Sequence, residues 1–96
     1  MFIITLTYKK PLSEVDVHIP AHRAFLDECY KNNTFIASGP KVPRTGGVII
    51  SHLPSRVDVE TLIKQDPFYQ YDMADYEIIE FNPNKCHPDF KRFISC

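Results

Sequence analysis

Apolar and polar side chains alternate from the second residue onward. Phe2, Ile4, Leu6 and Tyr8 share one face of an extended segment, and Ile3, Thr5 and Thr7 the other, which predicts a strand ended by Pro11. Ser13 followed by Glu14 and Asp16 reads as a capped helical turn. The main helix is expected to start near Pro20, since proline suits the first helical position and pushes its predecessor out of the α region. Asn32-Asn33 is its stop signal. Thr34–Ser38, β-branched and aromatic, reads as a second strand, and Gly47–Leu53 as a third. Gly39-Pro40 and Gly46-Gly47 bracket the loop between them. Ser55 with Asp58 three residues on resembles a capping box, and Val59, Leu62 and Ile63 supply the spacing of a second helix. Asp66-Pro67 closes it, Phe68–Met73 is a short aromatic segment with one turn of helix, and Ala74–Phe81 is a fourth strand. The tail, Asn82–Cys96, holds Pro83 and Pro88 and a turn of helix at Asp89–Phe93.

The order β-α-β-β-α-β is that of an α+β, ferredoxin-like domain with an antiparallel sheet. Both helices then pack on one face and leave the other bare. That bare face should be polar in a monomer. It is not entirely polar under either assignment of the strands: Ile3 accompanies two threonines, Val48 and Ile50 oppose Ile49 and Leu53, and Tyr76 and Ile78 oppose Ile79 and Phe81. An uncovered apolar face marks an interaction surface. The economical arrangement is a homodimer with facing sheets and a shared cavity, a dimeric α/β barrel. The competing arrangement has the tail cover the face of a monomer.

Composition narrows the classes of function. Ninety-six residues leave room for one domain. Eleven basic against twelve acidic residues give a formal charge of −1, with no field to hold nucleic acid or an anionic membrane surface. Apolar stretches such as Phe2–Leu6 fall far short of the roughly 20 residues a bilayer span needs. Three cysteines, Cys29, Cys86 and Cys96, without a Cys-x-x-Cys pair suit reduced thiols in a cytoplasm. Lys9 and Lys10 follow the first apolar run rather than precede it, opposite to a signal peptide. RNA-recognition domains of this topology stack bases on third-strand aromatics, and Gly47–Leu53 has none.

The candidate chemistry is concentrated in a few residues. His22, Phe25, Leu26 and Cys29 follow the i, i+3, i+4, i+7 spacing of a core-facing stripe, which places a histidine on the buried side of the first helical turn. It is either a hydrogen-bonded structural group or, kept neutral by the helix N-terminus, a proton acceptor. Asp66 before Pro67 is an N-cap, a partner for the His22 ring, or both, because a carboxylate has two oxygens. Ser38 and Gly39 form either a plain turn or a ligand contact. Lys41 and Arg44 either hold an anionic substrate or are solvated. His18 and His22 have the four-residue spacing of two metal ligands on one helix, but Pro20 places His18 before the helix, so no metal is expected. No cofactor is expected either.

These residues resemble a known family, the YciI-like (YCII-related) proteins. The likeness rests on Pro20-Ala21-His22-Arg23 with Phe25-Leu26, Ser38-Gly39-Pro40, Gly46-Gly47 and Asp66-Pro67-Phe68, and covers residues 1–82. It leaves the tail, residues 83–96, unmatched. The resemblance implies a dimeric α/β barrel and an active site built on His22 and Asp66, with Ser38 as a weaker member. It also implies a lyase-like activity of the kind that removes hydrogen chloride from chlorinated hydroxyquinols. Two functions follow as expectations. One is a small cofactor-independent lyase or isomerase in which His22, oriented by Asp66, moves a proton on a small cyclic or aromatic compound. The other is a non-catalytic module that binds a small molecule or dimerises.

Overall fold

The computed structural model describes residues 1–94 and 96. Seven main elements run in the order β1 (Phe2–Tyr8), α1 (Leu12–Lys31), β2 (Phe35–Pro40), β3 (Gly46–Ser51), α2 (Arg56–Ile63), α3 (Pro67–Gln70) and β4 (Ala74–Glu80). The four strands form one sheet in the order β2-β3-β1-β4. Every neighbouring pair is antiparallel. This is the expected ferredoxin-like α+β arrangement.

The pleat of β1 decides which side becomes core. Phe2, Ile4 and Leu6 are almost completely buried, and across β3 they face Ser51, Ile49 and Gly47. Val15 and Cys29 of α1, Val59 and Ile63 of α2, and Phe68 of α3 pack against them. The opposite side carries Ile3, paired with Ile50 on β3 and with Ile79 on β4, so three isoleucines lie side by side across the sheet. Ile79 is 46% exposed. The bare face is therefore part apolar, as the strand alternation implied. Close pairing of β1 with β3 also requires Gly46, because a Cβ there would collide with the Leu6 carbonyl.

The first helix departs from expectation. Instead of a capped turn at Ser13 and a helix from Pro20, one helix runs from Leu12 to Lys31, preceded by Pro11 and with Pro20 inside it. An interior proline loses one backbone hydrogen bond and crowds the preceding turn. Pro20 is exposed, so both defects fall on the solvent side, while Val15 and Cys29 hold the buried side before and after it. His22 consequently lies mid-helix. The N-terminal dipole acts only over the first turn and has no part in its chemistry.

Past β4 the chain contains a 3-10 turn, Pro88–Arg92, and a disulfide joins Cys86 to Cys96 with their Cα atoms 6.1 Å apart. Reduced thiols were expected throughout; among the described residues only Cys29, on the buried side of α1, is free. The turn folds the tail back and brings two residues ten apart in sequence within bonding range, which spacing alone does not reveal. His52 ties the tail down: Phe93 O lies 2.9 Å from Nδ1 and Asn33 O 2.5 Å from Nε2. Ser95, within the expected tail of residues 83–96, is outside the described residues. Among the described residues, no helix is long and apolar enough to cross a membrane.

Candidate active site

Asp66 is the centre of the site. It caps α3 with Pro67 in the first helical position, and its Oδ1 accepts the Phe68 backbone N–H at 3.0 Å. The same oxygen lies 2.7 Å from His22 Nδ1, and Oδ2 accepts the Tyr76 hydroxyl at 2.6 Å. Both roles considered for this aspartate are present together. The residue is 0% exposed, and burying a carboxylate is costly unless donors surround it. Three donors do so here. Burial and the adjacent carboxylate push the Tyr76 phenol far above the ordinary tyrosine range, so it remains a donor.

A carboxylate only accepts, so the hydrogen bond assigns the proton of a neutral His22 to Nδ1 and leaves Nε2 with a lone pair. Among the described residues Nε2 has no hydrogen-bond partner. The ring lies flat on Phe68, with centroids 4.0 Å apart and planes 6° from parallel. One turn earlier His18 stacks on Tyr71 in the same manner, at 4.3 Å. The break expected at Pro20 does not occur, so both histidines share one helix. Each ring is nevertheless engaged by its own aromatic, and no cluster of three or more metal-ligating side chains forms among the described residues.

His22 lines a cavity of about 510 Å3 between α1 and the β2–β3 hairpin. Leu6 and Ile49 line it from the sheet, and Ile19 and Leu26 from α1. Gly47 faces the helix side opposite Leu6 and has no side chain to fill the space. This cavity lies on the helix-covered side of the sheet, beneath α1. The tail contributes no lining residue among those described. His52 holds it at the other end of β3 from Gly47.

The remaining candidates are distributed unevenly. Ser38 and Gly39 line the cavity, with Ser38 Oγ 2.6 Å from the Tyr30 hydroxyl. Gly39 has ordinary φ and open space around it, so neither conformational reason for a glycine applies there. Arg44 lines the cavity but is paired with Asp16 of α1 and lies over the Tyr8 ring, 5.8 Å from its centroid. The paired aspartate holds the guanidinium pKa above its ordinary value. Lys41 is not at the cavity. Its Nζ bonds Thr7 Oγ1 on the bare face of the sheet.

Tyr76, Arg23 and Phe68 were not among the candidates. Strand alternation had already put Tyr76 beside Ile78 on one face, and a buried phenol needs a partner. That was the available signal. Arg23 follows His22 and lines the same cavity; the Pro20-Ala21-His22-Arg23 motif was its signal, since periodicity gives an exposed helical arginine none.

The profile of the YCII-related domain matches residues 1–82. The chain belongs to the YCII-related family. No curated protein matches it significantly. Among solved structures it is similar to 5-chloro-2-hydroxyhydroquinone dehydrochlorinase (TftG) of Burkholderia phenoliruptrix AC1100, in complex with 2,5-dihydroxybenzoquinone. The TM-score is 0.71 at 18% identity, covering 85% of this chain and 94% of that one. At that identity the likeness establishes the shared fold.

Proposed function

We propose that this YCII-related protein is a small cofactor-independent enzyme of the lyase or isomerase type, acting on a small cyclic or aromatic compound. The observation that carries the reading is His22 at an apolar cavity, with Nδ1 committed to a buried carboxylate and Nε2 bonded to no described residue. In this reading Nε2 takes a proton from a ring carbon activated by a neighbouring carbonyl. Asp66 keeps the opposite nitrogen protonated and stabilises the imidazolium that forms. In an isomerisation the proton returns at another carbon. In an elimination the C–H electron pair becomes the new double bond and chloride leaves the adjacent carbon with its own pair. The dehydrochlorinase activity of the similar structure supports the second course. Ser38 and Gly39 contact the substrate from β2.

The reading includes a homodimer joined through the bare sheet faces, supported by the row Ile79, Ile3 and Ile50. Each subunit then keeps its own cavity on the helix side.

Chloride release or proton exchange from a panel of activated ring compounds, chlorinated hydroxyquinols and ring carboxylates both included, tests the enzyme. Turnover is expected in the wild type and a fall of about 10²–10⁴-fold in His22→Ala, with the fold and oligomer unchanged. Asp66→Asn is expected to lose a large part of the same factor. Unchanged turnover in His22→Ala would overturn the assignment.

A further inference from the structure

The charge of the cavity deepens this reading and rests on it. No aspartate or glutamate is among the described residues that line the cavity, whereas two arginines are, Arg23 and Arg44. Arg44 is neutralised by Asp16. Arg23 makes no ion pair or side-chain hydrogen bond with any described residue, and Asp27, one turn further along α1, does not pair with it. The Asp66 charge lies behind the His22 ring and is already shared among three donors. One unit of positive charge is therefore uncompensated at the rim of an otherwise apolar space.

Both the charge and the His22 ring border the same cavity. Arg23 follows His22 directly and shares the Ile19–Leu26 side of α1, so a ring lying against Ile19, Leu26 and Ile49 presents one edge to His22 and another to Arg23. A cavity of about 510 Å3 is within the range of small-molecule sites, roughly 300–1,000 Å3. A guanidinium is a planar fork that matches a planar oxyanion through two parallel hydrogen bonds. We infer that Arg23 is the specificity-determining residue of the site, and that the ligand is a small flat ring carrying one carboxylate, held at the rim by Arg23 with the ring over His22. The two cations singled out from the sequence do not serve: Lys41 is on the other side of the sheet and Arg44 already has a carboxylate.

Binding of an unreactive probe separates this inference from the catalytic reading. Benzoate and its neutral isostere benzamide are titrated by amide NMR into the wild type, Arg23→Gln, Arg23→Lys and His22→Gln. Benzoate is expected to move the Leu26, Ser38 and Gly39 resonances and to bind the wild type about tenfold more tightly than benzamide. Arg23→Gln should erase that preference without weakening benzamide. Arg23→Lys, which keeps the charge and loses the fork, should retain part of it. Equal affinity for the two probes, an intact preference in Arg23→Gln, or no binding of benzoate at millimolar concentration each overturns the inference. A preserved benzoate preference in His22→Gln alongside absent turnover in the wild type would refute the enzyme and leave Arg23's role standing. Lost preference with chloride release intact would do the reverse.

Discussion

At the scale of single residues the site is a chain of three hydrogen-bonded side chains, Tyr76 to Asp66 to His22. The phenol matters because it occupies Oδ2, so that the carboxylate can neither turn away from the imidazole nor remain buried with an empty lone pair. Tyr76→Phe should cost about 1–3 kcal/mol of stability, since an acceptor loses its donor inside the protein. The same variant makes a distinct prediction about pH. In the folded protein the Tyr76 pKa is raised, by burial first and by Asp66 second, whereas in the unfolded chain it ionises near pH 10. The unfolded state therefore releases a proton that the folded state keeps, and stability from this group, complete below about pH 10, declines as pH rises above it. Denaturant unfolding between about pH 9 and 11 should show a slope with pH that is shallower in Tyr76→Phe. Equal slopes would mean that the phenol is not held as described.

Elements place these residues together. Helix α1 carries His18 and His22 one turn apart, and α3 meets them with Phe68 and with Tyr71 just past its end. Two stacked pairs thus clamp the short helix that Asp66 caps. The continuity of α1 through Pro20 is what sets their spacing, and it could not be read locally. A proline two residues before a histidine has the same local signature at a helix start as inside a helix, and only exposure of that side of α1 decides between them. The β1–β3 pairing is the other element-level requirement. Gly46→Ala inserts a methyl group against the Leu6 carbonyl and should destabilise by about 1–3 kcal/mol, measured by thermal unfolding. Since Gly47 beside it lines the cavity, this substitution should also disturb benzoate binding. A variant as stable as the wild type would show that the two strands separate there at little cost.

For the whole molecule, the helix side encloses the cavity and the open side presents the isoleucine row. These are separate surfaces, so association and binding should be separable experimentally. Sedimentation of the wild type is expected to give a dimer at micromolar concentration, and Ile3→Glu a folded monomer that still binds benzoate. A monomeric wild type would remove the homodimer from the proposal. A dimer unaffected by Ile3→Glu would move the interface to another surface.

Periodicity and capping patterns by themselves indicated the order of the strands, the two faces of β1 and the cap at Ser55, and named a cap among the roles of Asp66. These depend on residues a few positions apart, where backbone geometry leaves little choice. The stripe through His22 and the Asp66-Pro67 turn also marked both halves of the hydrogen-bonded pair. Only the tertiary structure decided that Tyr76 joins the pair, that Arg44 is spent on Asp16 while Arg23 pairs with no described residue, and that Lys41 lies on the other side of the sheet. It alone paired Cys86 with Cys96 and opened a cavity under α1. Each of these depends on which distant segments meet. A charge or a thiol carries no periodic signal of its partner, because its neighbour is chosen by the packing of the core.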